Sequence, residues 1–137
     1  MSDNAKLEAS KATLDLGLNG EPVHYKGACH CRKIQYEFDH SEIKQIRECN
    51  CSICTQKGGR FVYTPGNRFH LTVGSLDDDM TAYQFNKKII KHYFCSTCGC
   101  APFGFAAGGK VIGINVRSME DFDMKKVEIE YFDGANM

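Results

Sequence analysis

Cys49, Cys51 and Cys54 stand close together in the stretch ECNCSIC, a C-x-C-x-x-C array. In an extended segment the side chains at i and i+2 project to the same side, so Cys49 and Cys51 can converge on one point. If the chain then turns into a helical start, Cys54 comes round to that point as well. Three thiolates on one ion leave a fourth tetrahedral position open, and an open position separates a catalytic zinc site from a structural one. The other cysteines offer a different arrangement. Cys29 with Cys31 and Cys95 with Cys98 are two tight pairs far apart in sequence. Four thiols in two pairs are what a closed, structural zinc takes. Two ions per chain are therefore expected, one structural and one catalytic. Cys100, His30 and His92 are further donors in the sequence. Cys100 as a fourth thiolate would close the second site; His30 and His92 read more simply as structural histidines.

The elements that must hold these thiols have mostly period 2. In KIQYEF, Ile34, Tyr36 and Phe38 share one face and Gln35 and Glu37 the other, the pattern of a half-buried strand. Ile43–Arg47 reads as a strand delivering the chain to Cys49. A short helical turn at Thr55–Lys57 is stopped by Gly58 and Gly59. Strands follow at Arg60–Tyr63, Phe69–Val73, Pro102–Ala106, Lys110–Val116 and Val127–Phe132. Thr81–Phe85 and Ile89–Phe94 read as a hairpin turned at Asn86-Lys87-Lys88, and a second helical turn is open at residues 119–125. The run Asp77–Asp79 reads as a solvated loop. The class is mainly β: several small antiparallel sheets with one or two short helical turns. Residues 1–20 read as a flexible arm and 21–137 as a single zinc-binding β domain.

Charge and composition narrow the function. Lys plus Arg and Asp plus Glu both number 17, and seven thiolates on two dications would leave the loaded chain net acidic. Phosphate-backbone affinity rests on a surplus of Lys and Arg, so no nucleic acid partner is expected. No stretch approaches the roughly 18 apolar residues of a membrane span, and the first twenty residues lack the apolar centre of a secretory signal. The expectation is a cytoplasmic protein, and in that reducing compartment eight cysteines are metal ligands rather than disulfides.

GACHCRKIQYEF at 27–38, ECNCSICTQKGG at 48–59, YFCSTCG at 93–99 and GINVRSM at 113–119 together resemble the glutathione-dependent formaldehyde-activating enzymes, a family that includes centromere protein V. The resemblance implies an Mss4-like fold built around zinc. It also implies a structural zinc on Cys29, Cys31, Cys95 and Cys98 and a catalytic zinc on Cys49, Cys51 and Cys54. The implied reaction is addition of the glutathione thiol to formaldehyde, giving S-hydroxymethylglutathione, a carbon-sulfur lyase activity. Three positions depart from the family pattern: Arg32 where glycine is frequent, Cys100 where a small residue is usual, and Ser118 where cysteine is common. Glutathione carries two carboxylates, for which Lys57, Arg60, Asn115 and Arg117 are the candidate donors; each also reads as an ordinary surface or turn residue. Tyr63, Phe61, Phe103 and Phe105 are candidate pocket walls, and read more simply as core. The alternatives are a non-catalytic zinc module that binds glutathione or a protein partner, and a redox sensor built on the open triplet.

Overall fold

The computed structural model describes residues 14–85 and 89–136. Among the described residues ten strands form two sheets. The smaller has the order β1-β2-β5, from β1 (Pro22–Ala28), β2 (Gln35–Ser41) and β5 (Phe69–Val73), all antiparallel. The larger has the order β10-β3-β4-β9-β8-β7-β6. It is built from β3 (Gln45–Cys49), β4 (Phe61–Pro65), β6 (Met80–Tyr83), β7 (Ile90–Cys95), β8 (Phe103–Ala106), β9 (Val111–Asn115) and β10 (Glu128–Phe132). The mainly β reading is therefore correct. One pairing departs from the antiparallel expectation: β10 runs parallel to β3, in register from Glu128 opposite Gln45 to Phe132 opposite Cys49. Alternation in VEIEYF marks a strand and two faces, but carries no information on direction.

The core lies between the sheets. β2 contributes Tyr36 and Phe38, with Ile34 just ahead of it, all at most 1% exposed. The inner face of the larger sheet contributes Val62, Ile112, Ile114, Phe103 and Cys95. Aromatic contacts join the layers: Phe103 meets Phe69 edge-on with centroids 5.0 Å apart and Tyr36 with centroids 5.9 Å apart. Buried Tyr36 does not leave its hydroxyl unpaired, because Ser118 Oγ lies 2.6 Å away. At Ser118 the serine hydroxyl thus replaces a thiol with a hydrogen-bonding group tied into the core.

Among the described residues two short α-helices break the β pattern. α1 (Ser52–Lys57) ends on Gly58 at φ 68, where the Gly58 N–H reaches the Cys54 carbonyl at 2.9 Å, a left-handed stop suited to glycine. α2 (Leu76–Asp79) corrects the loop expected at Asp77–Asp79. Ser75 caps it by accepting from the Asp78 N–H, and Asp79 Oδ2 accepts from the Ser75 N–H in return. The acidic run sits in the first turn of a helix, where negative charge is favourable.

Residues 14–20 have no regular element, yet Gly17 is fixed. Its carbonyl accepts from Ser41 N–H at 2.9 Å, and at φ 71 it lies against the His40 ring where a Cβ would collide. Residues 1–13 and the expected turn at Asn86-Lys87-Lys88 lie outside the described residues. Among the described residues no helix is long and apolar enough to cross a membrane.

Candidate metal centre

All eight cysteines are free thiols, and seven fall into two groups. Cys29, Cys31, Cys95 and Cys98 bring their sulfurs within 4.8 Å of one another, as do Cys49, Cys51 and Cys54. Both groups could hold a metal ion.

The four-thiol group ties β1 to β7. Cys29 and Cys31 follow β1 on a turn closed by Arg32 N–H to the Cys29 carbonyl at 3.1 Å. Cys95 ends β7, and the Thr97 and Cys98 N–H groups approach its sulfur at 3.4 and 3.5 Å. Cys31 lies 3.6 Å from both Cys29 and Cys95. Sulfurs at about 2.3 Å from a tetrahedral centre lie about 3.8 Å apart, so this spacing fits a zinc ion. Burial acts to raise the Cys98 thiol, but the backbone N–H groups of Cys100 and Cys31 and the neighbouring thiols prevail and bring it down to about 6. The turn makes a left-handed demand at Arg32. Its φ is 65, a left-handed conformation that costs a non-glycine residue about 1–2 kcal/mol. Arg32 keeps it, with its guanidinium 2.8 Å from Glu120.

The three-thiol group forms where β3 passes into α1. Cys49 ends the strand, Cys51 stands at the helix cap in extended geometry, and Cys54 follows in the first turn, with Thr55 N–H on the Cys51 carbonyl at 2.9 Å. The extended-then-helical reading of C-x-C-x-x-C is what the backbone does. The Cys49 and Cys54 thiols turned toward Cys51 hold it down at about 2, helped by the Cys54 and Ile53 N–H groups. Cys54 is pushed up, first by Cys49 and then by Cys51. One sulfur of the three thus ionises readily while its neighbours resist, as like charges at short range require. A dication at their centre would remove that conflict and take all three as thiolates.

Cys100, in neither group, lies beside the first, its carbonyl accepting from the Cys95 N–H at 2.9 Å. It is exposed, and its thiol interacts with Cys98 and Cys29 and with the His30 backbone. Among the described residues the triplet therefore has no fourth thiol. His92 also stays outside it, stacked on Phe85 with centroids 5.6 Å apart. A cleft of about 360 Å³ opens against Cys49 and Cys54, lined by Glu48, Asn50, Thr55, Tyr131 and Asp133 among others.

The candidate carboxylate donors differ in their surroundings. Lys57 is exposed, its Nζ 5.6 Å from the Phe94 ring centre, and Arg117 is exposed on the turn after β9. Arg60 is paired with Glu48 at 2.9 Å. Asn115 donates to the Ala101 carbonyl and accepts from Arg117 N–H. Phe61 and Tyr63 lie on the outer face of the large sheet with Cys49, by the pairing of Arg47 with Phe61 and Phe61 with Asn115. Phe103 and Phe105 pair with Ile114 and Ile112 on the inner face, Phe103 in the core and Phe105 packed against it, the simpler of their two readings.

The sequence reading missed the C-terminal end. A Cβ on Gly134 would come within 2.5 Å of Cys49 Sγ, so only a glycine lets the backbone lie over that sulfur. Asn50 holds it there, donating to Asp133 Oδ1 at 2.8 Å and accepting from Ala135 N–H at 2.9 Å. The one available signal was the Asp-Gly pair closing the last strand.

A crystal structure of a Rhodobacter sphaeroides protein, solved as a structural genomics target, superposes with a TM-score of 0.67 at 26% identity, covering 77% of this chain and 99% of the other. The family model for the glutathione-dependent formaldehyde-activating enzyme matches residues 24–134, a span holding all eight cysteines. With both thiol groups inside the matched span, the chain belongs to the family of glutathione-dependent formaldehyde-activating enzymes.

Proposed function

We propose that this protein is a zinc-dependent, cytoplasmic carbon-sulfur lyase that joins the glutathione thiol to formaldehyde as S-hydroxymethylglutathione. The observation that carries the reading is the pairing of a complete four-thiol group with a three-thiol group beside an open cleft. In this reading Cys29, Cys31, Cys95 and Cys98 hold a structural zinc, and Cys49, Cys51 and Cys54 hold a second one. Bound there, zinc supplies a position at which an incoming thiol loses its proton at neutral pH.

The chain's own residues do the rest. The three cysteines grip the ion and do not attack carbon themselves. Cys49 is fixed by the Gly134 backbone, and Cys51 by the start of α1. Lys57 and Arg117, exposed and cationic, are suited to meet the carboxylates of glutathione. Arg60 and Asn115 shape the site through the partners they already hold. In the reaction a bond forms between the glutathione sulfur and the formaldehyde carbon, and the proton lost from sulfur is matched by one gained on the new hydroxyl oxygen. Three thiolates leave the ion site with net negative charge, which favours thiol activation over polarisation of the aldehyde oxygen.

The uncatalysed reaction is chemically easy, so the test is kinetic. Zinc-loaded protein at catalytic concentration is expected to shorten the approach to equilibrium between glutathione and formaldehyde without moving its endpoint. An endpoint displaced in proportion to protein, with the rate unchanged, would mark a glutathione carrier instead.

A further inference from the structure

Asn50 stands between two cysteines of the triplet, and its polar groups are engaged on both sides of the cleft. Its backbone N–H reaches the Phe132 carbonyl at 3.2 Å, and its own carbonyl accepts from the Thr55 hydroxyl at 3.1 Å. Its side chain donates from Nδ2 to Asp133 Oδ1 and accepts at Oδ1 from the Ala135 N–H. Asp133 is engaged on both oxygens, because Asn136 Nδ2 donates to its Oδ2 at 2.7 Å. One residue thus joins α1, which supplies Cys54 and Thr55 to one wall of the cleft, to the end of β10 and Asp133 on the other.

The turn that follows, Gly134–Asn136, buries no side chain, so its position rests on these polar contacts. It nevertheless covers a sulfur. A Cβ on Gly134 would lie 2.5 Å from Cys49 Sγ and 3.6 Å from Cys51 Cβ. The Cys51 N–H approaches the same sulfur at 3.4 Å. Cys49 ends its strand, where its thiol turns about a single Cα–Cβ bond among staggered positions. Backbone packed this close leaves it little choice among them.

We infer that Asn50 and Asp133 are positioning residues that clasp the C-terminal turn onto Cys49, holding its sulfur in the triplet and leaving the cleft as the way in. This rests on the proposed zinc at the triplet. With the clasp closed, Cys49 is fixed as a ligand and shielded on the side of the turn. With it open, the sulfur swings free and is exposed to solvent.

The clasp can be broken and rebuilt in place. Asn50→Asp keeps the acceptor for Ala135 but sets two carboxylates against each other. Adding Asp133→Asn restores the lost bond with donor and acceptor exchanged, and keeps an acceptor for Asn136. Two readouts on the zinc-loaded protein test this: zinc release to a chromophoric chelator, and iodoacetamide labelling of each cysteine followed by peptide mass spectrometry. In Asn50→Asp and Asn50→Ala one of the two zincs is expected to leave about 10-fold faster or more, the range that outer partners of metal sites carry. Cys49 is expected to label faster as well, with the zinc of the four-thiol group unchanged, and the double variant is expected to reverse both effects. Gly134→Ala, which presses directly on the sulfur, is expected to speed release likewise and serves if the Asn50 variants fold poorly. Release and labelling unchanged in these variants, or left unrestored in the double variant, overturn the clasp. If the wild type holds a single zinc, the proposed function fails and Cys49 labelling decides alone: faster in Asn50→Asp and restored in the double variant, the clasp stands; otherwise it falls.

Discussion

Replacing Cys95 with Ser is expected to leave the chain without a cooperative fold at room temperature. Cys95 is fully buried at the end of β7, and its sulfur stands 3.6 Å from Cys31. Its loss removes one of four donors from a group that, with an ion bound, would link the start of the small sheet to the far side of the large one. Apparent binding free energies at structural zinc sites run to roughly 10 kcal/mol or more, which equals or exceeds the whole stability of a domain this size, about 5–15 kcal/mol. Thermal melting followed by circular dichroism, with zinc content measured on the same sample, is the check. A melting transition within a few degrees of wild type would contradict a structural role for this group.

Replacing Cys54 with Ser is expected to do the reverse, leaving the fold intact and abolishing function. Cys54 sits on α1, a short helix with no buried residue, so few core contacts depend on it. What it does hold is the third corner of the triplet. Two thiolates and a hydroxyl make a far weaker zinc site, and the loaded protein should retain one zinc per chain instead of two. Acceleration of the glutathione and formaldehyde equilibrium should fall by about 100-fold or more, since even outer partners of such sites carry 10- to 100-fold effects. Equal loss of folding in Cys54→Ser and Cys95→Ser would mean that both groups are architectural.

Much of this arrangement could be read before any coordinates were seen, for a physical reason. Metal-binding thiols must converge over short distances, so their spacing survives in sequence: Cys49, Cys51 and Cys54 announce a strand-to-helix corner, and Cys29 with Cys31 and Cys95 with Cys98 announce two turns. Half-buried strands such as β2 likewise declare themselves through alternation. What alternation cannot supply is which face points where. Phe103 and Phe105 were open to either reading, pocket wall or core, because FGFA has two faces and one of them is aromatic; the pairing with Ile114 and Ile112 turns that face into the core and leaves Gly104 looking outward. Strand direction was equally hidden, so the parallel approach of β10 to β3, which carries Gly134 over Cys49, had no precursor in the sequence pattern. Cys100 was open as a fourth thiolate of the triplet because adjacency to Cys98 in sequence does not fix where its side chain turns. The backbone settles it, with the Cys95 N–H on the Cys100 carbonyl at 2.9 Å holding that residue beside the four-thiol group.

The central claim is that the triplet keeps one coordination position for an incoming thiol. Cobalt substituted at both sites reports this through its sulfur-to-metal charge-transfer bands. Glutathione added to the cobalt protein is expected to strengthen those bands by one thiolate's contribution at one of the two ions, with the other ion unchanged and with no such response in Cys54→Ser. Two four-sulfur spectra that are already complete in the free protein and indifferent to glutathione would contradict it.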